Sequence, residues 1–177
     1  IALNFTAGTD VLNIVSGGLI GPNNNQTIGT TAIRGVLTAG GTSAGTNPLY
    51  VYNRTNTLTV NSQIVNNGVG VTKLVLTASG GAITLSNGTN SYTGGTVVNG
   101  GTVNLNATTG SVVIPVATSP ADSLVINGGT VTMLNTAGQI DPAAIVTLNG
   151  NAVLNLFGAN TLGGLIFRDD GGGTGGT

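Results

Sequence analysis

The 177 residues carry four basic and five acidic side chains, no histidine and no cysteine. A net charge of −1 with its cations scattered excludes a phosphate-tracking surface for nucleic acid, and the missing cysteine and histidine exclude disulfides, thiolate metal sites and Ser–His or Cys–His nucleophiles. Because 40% of the chain is hydrophobic, its low charge is not the low-hydrophobicity signature of disorder.

The predicted elements are short strands punctuated by Gly, Asn and Pro. Ala2-Leu3-Asn4-Phe5 and Val11-Leu12-Asn13-Ile14-Val15 read as strands, the second closed by Gly17-Gly18. Gly21-Pro22-Asn23-Asn24-Asn25 is a loop by its breaker content. Ala32-Ile33 and Gly35-Val36-Leu37-Thr38 resume the strand pattern, and the small, polar stretch 39–48 predicts a protruding loop. Leu49-Tyr50-Val51-Tyr52 is the most aromatic strand; Thr57-Leu58-Thr59-Val60 and Gln63-Ile64-Val65 follow. Asn66-Asn67-Gly68 turns the chain into Thr72-Lys73-Leu74-Val75-Leu76-Thr77. Strands are then expected at Gly81–Leu85, Thr96–Val98, Gly101–Leu105, Ser111–Val116 (ending at Pro115), Leu124–Ile126, Thr130–Met133, Ile145–Leu148 and Ala152–Leu156.

Two breakers, Ser119-Pro120-Ala121-Asp122 and Asp141-Pro142-Ala143-Ala144, precede strands, and the second fits a single helical turn with Asp141 as N-cap and Pro142 first. Nowhere does a 3.6-residue apolar period run for ten residues, and no apolar run nears the roughly 20 residues of a membrane helix. Residues 1–170 are expected to form one domain. Gly171 to Thr177 is low-complexity and reads as a tail or linker to something longer. The chain begins with Ile rather than Met, which fits a removed leader or an excerpt of a larger protein.

Within Thr96–Leu105, Val98, Val103 and Leu105 point one way while Thr102 and Asn104 point the other, the period-two alternation of a half-buried strand. Asn127-Gly128-Gly129-Thr130-Val131-Thr132-Met133 repeats Asn99 to Leu105 almost residue for residue, and Asn149 to Leu156 does so with one extra corner residue. Equivalent positions are Ile83, Val103, Val131 and Leu154, with fainter copies at Leu58, Val36 and Leu12. A period in the low twenties marks a solenoid, because one such unit cannot bury its own apolar face. Gly and Asn are expected to supply the left-handed backbone of the corners. Roughly seven coils at about 4.8 Å give a rod of roughly 35 Å.

Ser91-Tyr92-Thr93-Gly94-Gly95-Thr96 followed by Val98-Asn99-Gly100-Gly101-Thr102-Val103 resembles the autotransporter-associated β-strand repeat, also called the passenger-associated transport repeat, of bacterial surface proteins. Leu154 to Leu165 looks like the end of such a unit; the resemblance covers Leu74 to Phe167 and is general before that. It implies a right-handed parallel β-helix in the exported passenger of a large surface protein, hence an extracellular or cell-surface location. No segment matches the membrane barrel of autotransporters.

As an all-β, right-handed parallel β-helix (a three-sided solenoid), the chain is expected to bury Val98, Val103, Leu105, Ile126, Val131, Leu148, Leu154 and Leu156, and to stack Asn99, Asn127 and Asn149 as an amide ladder satisfying buried backbone groups. Parallel β-helices include polysaccharide lyases and hydrolases, so the carboxylates matter. Without glutamate, Asp10, Asp122, Asp141, Asp169 and Asp170 are the whole set, and the adjacent Asp169 and Asp170 would face opposite ways in a strand. Those two, beside the glycine-rich tail, are also the only calcium candidates, and they lack the alternating aspartates of calcium-binding repeats. Tyr50, Tyr52 and Tyr92 are the candidates for a carbohydrate-stacking platform, Tyr50 and Tyr52 sharing a strand face as the candidate glycan contacts; the alternative is one end-packing or core aromatic and one surface one. Asn4-Phe5-Thr6 and Asn87-Gly88-Thr89 match the glycosylation triplet.

The reading is therefore a non-catalytic structural or adhesive β-helix, without cofactor or metal: a rigid surface spacer or fibre segment. Its partners are neighbouring coils, from the same protein or from other copies stacked end to end, and surface glycans. The alternatives are a carbohydrate-binding or carbohydrate-processing β-helix and a self-assembling filament subunit. Scarce charge leaves little repulsion against such stacking.

Overall fold

The computed structural model describes residues 1–21, 23–108 and 111–168. The expectations for Asp169, Asp170 and the glycine-rich tail lie outside those residues.

The chain winds through three sides in fixed order. The first coil is β1 (Ala2–Leu3), β2 (Val11–Ile14) and β3 (Gly18–Gly21), and the second is β4 (Gln26–Ile28), β5 (Val36–Ala39) and β6 (Thr46–Asn53). β7 (Asn56–Val60) and β8 (Gln63–Ile64) lead into the long β9 (Val71–Leu85), which turns a corner midway. β10 (Thr96–Leu105) does the same. Then come a 3-10 helix at Pro120–Asp122, β11 (Leu124–Ile126), β12 (Thr130–Met133), β13 (Ile145–Asn149), β14 (Val153–Asn155) and β15 (Gly164–Arg168).

Every strand pairing among the described residues is parallel. The first side stacks β1, β4, β7, the second half of β9, the second half of β10, β12 and β14. The third side stacks β3, β6, the first halves of β9 and β10, β11, β13 and β15. The second side begins as β2-β5-β8 and continues through single bridges, Thr89 to Val112 and Ile114 to Ile140. The result is a parallel β-solenoid of about six turns, or about 29 Å along its axis at 4.8 Å per turn. Turn length varies from 19 residues (Ile145 to Gly164) to 32 (Thr27 to Thr59).

Inward side chains stack one per coil. On the third side the column is Leu19, Val51, Leu76, Val98, Ile126, Leu148 and Phe167. On the first side it is Leu3, Ile28, Val60, Leu85, Leu105 and Met133. Burying each such side chain is worth about 1.5–3 kcal/mol, so neighbouring turns stabilise what no single turn can. Val98, Val103, Leu105, Ile126 and Val131 are buried, and Leu148 and Leu154 half-buried against that core.

Leu156 departs from expectation: it is 49% exposed. Continuing the β12–β14 register puts it level with the inward-facing Met133, so its direction follows the pattern. No coil lies above it among the described residues, so it stays wet. Leu12 and Val36 are not copies of Val103 either. They belong to β2 and β5 on the second side, whereas the true counterparts of Ile83 are Leu58 and Gln26.

Smaller expectations also change. Residues 18–21 form β3 rather than the approach to a loop, and Thr46 to Pro48 belong to β6. The stretch 111–114 contributes only bridges, not a strand. The helical turn falls at Pro120–Asp122, while Asp141 closes a turn by accepting from Ala144 N and, through Oδ1, from Ala143 N. At the corners the left-handed residue is the second glycine, not Asn99 or Asn127. Gly101 and Gly129 both have φ +79°, and a Cβ on either would lie within 2.2 Å of a backbone oxygen in the coil below.

Candidate functional site

Asp10 Oδ2 accepts from Thr6 N, Thr6 Oγ1 and Ala7 N at 2.8–2.9 Å. Those bonds, the one from Ala7 N foremost, hold its carboxyl below the usual aspartate range. Asp10 and Asp141 therefore staple loops. Among the described residues no three His, Cys, Asp or Glu side chains gather around one point.

Amide ladders are the dominant polar feature. Asn127 Nδ2 donates to Asn99 Oδ1 at 3.0 Å and Asn149 Nδ2 to Asn127 Oδ1 at 2.7 Å. The three do stack, Asn99 and Asn127 exposed and Asn149 half-buried, but they bond onto one another, so they do not satisfy buried backbone groups as expected. The reason is geometric: the corner turns after an inward residue, Val98 or Ile126, which leaves the next side chain outside.

A second, buried ladder lies at the corner between the first and second sides, and sequence reasoning missed it. Asn61 Nδ2 donates to Gly29 O at 2.9 Å, and Asn87 Nδ2 to Asn61 O at 3.0 Å. Asn90 Oδ1 accepts from Ile64 N at 2.9 Å while its Nδ2 donates to Val113 O at 2.8 Å. Gln139 closes the series, accepting from Ala107 N at 2.7 Å and donating to Leu134 O and Thr136 O. Arg34 adds a clip, with Nη1 reaching Ser86 O at 2.8 Å and Asn61 O at 3.4 Å. Asn87, matched above to a glycosylation triplet, is buried and committed to this ladder.

Tyr92 lies inside the solenoid and shares a 2.7 Å hydrogen bond with Thr96 Oγ1, itself an inward residue stacked between Leu74 and Leu124. Burial pushes its phenol well above the ordinary tyrosine pKa, with the bond to Thr96 acting the other way. Tyr50 and Tyr52 stand together on the outer face of β6, 52% and 39% exposed. Tyr52 donates to Ser79 Oγ at 3.0 Å, and Ser79 Oγ donates to Arg54 O at 3.1 Å.

Ser79 also lines a groove of about 550 Å³, together with Asn56, Thr57, Gly80, Gly101 and Thr102. The groove arises from unequal corners. Between the paired positions Thr77–Gly100 and Ala82–Thr102, β9 carries four residues where β10 carries only Gly101. The longer corner bows outward beside the shorter one. The resulting site is uncharged, floored by glycine backbone and hydroxyls, and flanked by the Tyr52 phenol. It can offer hydrogen bonds and an aromatic edge, and its lining supplies no acid, base or metal ligand.

Comparison of the chain with family models, curated proteins and solved structures finds no match.

Proposed function

We propose that the chain is a non-catalytic rigid spacer in an extracellular bacterial surface protein. The observation that carries this reading is the unbroken inward column, seven residues deep on the third side, beneath an exterior of hydroxyls and amides. A stack of this kind resists bending and offers water few charges to exploit. The resemblance of Ser91–Val103 to passenger repeats supports the surface location. The test joins two measurements. Amides of the stacked strands in the purified chain should be protected from hydrogen exchange along the whole column, and antibody labelling of intact bacteria expressing the parent protein should reach this segment. Free exchange midway along the column, or labelling only after lysis, would overturn the reading.

The Tyr52 groove favours a second reading, contact with a neutral glycan. A hydroxyl-rich floor beside an exposed aromatic suits a sugar, which presents hydroxyls at its edge and C–H groups on its face. NMR titration with neutral oligosaccharides should shift Ser79, Gly80 and Thr102 amides, and Tyr52→Ala should remove the response. Shifts unchanged by that substitution would reject the site.

A further inference from the structure

The rim of the Tyr52 groove has a fixed direction of hydrogen bonding. Tyr52 stands in an outward column between Ile20 on one coil and Thr77 on the next, and its phenol reaches Ser79 at the corner. There the longer corner of β9 presses onto the coil below. A Cβ on Gly80 would lie 2.9 Å from Arg54 O, and one on Gly81 1.9 Å from Asn56 O. Glycine permits that approach, and the approach sets Ser79 Oγ 3.1 Å from Arg54 O.

A carbonyl oxygen only accepts, so the Ser79 hydroxyl proton lies on the bond to Arg54 O. Ser79 then has no proton for Tyr52, and in their 3.0 Å contact the phenol is the donor. Both protons are used within the protein. The two oxygens keep lone pairs and offer a ligand acceptors alone. Thr57 and Thr102, which line the same groove, carry no such tie among the described residues, and their hydroxyls can take either role.

We propose that this rim filters sugars by hydrogen-bond direction: the groove takes neutral glycans with free hydroxyls at the Tyr52 edge and rejects those whose hydroxyls there are O-methylated or O-acylated. The inference rests on the glycan reading of the groove and adds to it the class of sugar. A free hydroxyl donates to Tyr52 Oη or Ser79 Oγ. An ether or ester oxygen sets lone pairs against lone pairs, and displaces a water that would have donated. Ser79 is the positioning residue, because it turns the phenol proton away from the ligand. No charged side chain lines the groove to offset the mismatch.

The test follows the Gly80 and Thr102 amides by NMR during titration with neutral oligosaccharides of glucose, galactose and mannose, each in its free and its per-O-methylated form. The wild-type chain should bind the free form about tenfold more tightly, the equivalent of one hydrogen bond left unmade. Ser79→Ala releases the phenol proton to the groove, so the methylated form should gain affinity and the preference should largely vanish. Tyr52→Phe keeps the ring and removes one rim acceptor, so the free form should weaken several-fold while the methylated form changes little. Tyr52 and Ser79 are both exposed, so neither substitution removes a core contact. Equal binding of the two forms by the wild-type chain overturns the filter and leaves the glycan reading in place, whereas no shift with any free oligosaccharide overturns both. A preference that survives Ser79→Ala would mean that methyl bulk alone excludes the modified sugars, and it too overturns the proposal.

Discussion

The two asparagine ladders use one chemistry in two settings. Asn99, Asn127 and Asn149 bond to one another at a corner where Asn99 and Asn127 are open to water, whereas Asn61, Asn87 and Asn90 bond to backbone groups in the dry interior. In the first, a lost amide is replaced by solvent. In the second, no solvent reaches the carbonyl left behind. Recurrence in sequence therefore does not measure contribution to stability: the visible Asn-Gly ladder is the weaker one, and the irregularly spaced ladder the stronger.

The sharpest way to break this comparison is Asn87→Ala. It leaves Asn61 O with only the long contact from Arg34 Nη1 at 3.4 Å, and it removes the acceptor of Thr89 N, which sits 2.8 Å from Asn87 Oδ1. At about 1–3 kcal/mol for each unsatisfied group, the expected loss is about 3 kcal/mol, read as a lower denaturant midpoint. A smaller step on the same interior side is Tyr92→Phe. It orphans the buried Thr96 hydroxyl and should cost about 1–2 kcal/mol. Tyr92 also sets an alkaline limit. Because its folded pKa is raised, its contribution is complete below the ordinary tyrosine value of about 10 and is lost as pH rises above it. An alkaline melting series should show that loss.

Asn127→Ala should cost less than about 1 kcal/mol, since Asn127 and Asn99 are exposed and Asn149 is only half-buried. A loss matching that of Asn87→Ala would mean that burial does not decide the difference. The smallest effect belongs to Asp10. Its carboxyl lies below its ordinary range, so the bonds to Thr6 and Ala7 persist above the unfolded value and fail as pH falls through the folded one. The hydrogen-exchange protection factors of the Thr6 and Ala7 amides, taken against intrinsic rates at each pH, should fall in acid, and Asp10→Asn should remove that change.

How legible the fold was depends on which side of the solenoid is read. From Gly81 to Leu154 alternating β-branched residues report the first and third sides directly, and their offsets match the observed register. The second side is nearly silent because side chains replace strands there. Asn90 takes the place of a peptide, accepting from Ile64 N and donating to Val113 O, and such a residue leaves no alternation to detect. Arg34 meets Ser86 across 52 residues, a distance no local pattern encodes. At the candidate site, Tyr50 and Tyr52 sharing a face follows from their spacing. The groove beside them does not, since it exists only as a difference between corners on successive coils. Leu156 shows the converse limit: sequence sets the direction of a side chain, while its burial depends on what lies above.

The register offsets also describe a mechanical element. From Thr59 to Thr84 the chain travels 25 residues to advance one coil, so about 80 Å of contour is folded into a rise of about 4.8 Å. A load applied along the axis can therefore peel one rung, release a length many times its own thickness, and leave the remaining rungs paired. Such a rod yields in discrete lengths instead of snapping, and the rung that gives first is set by the coil with the fewest interior bonds to its neighbour.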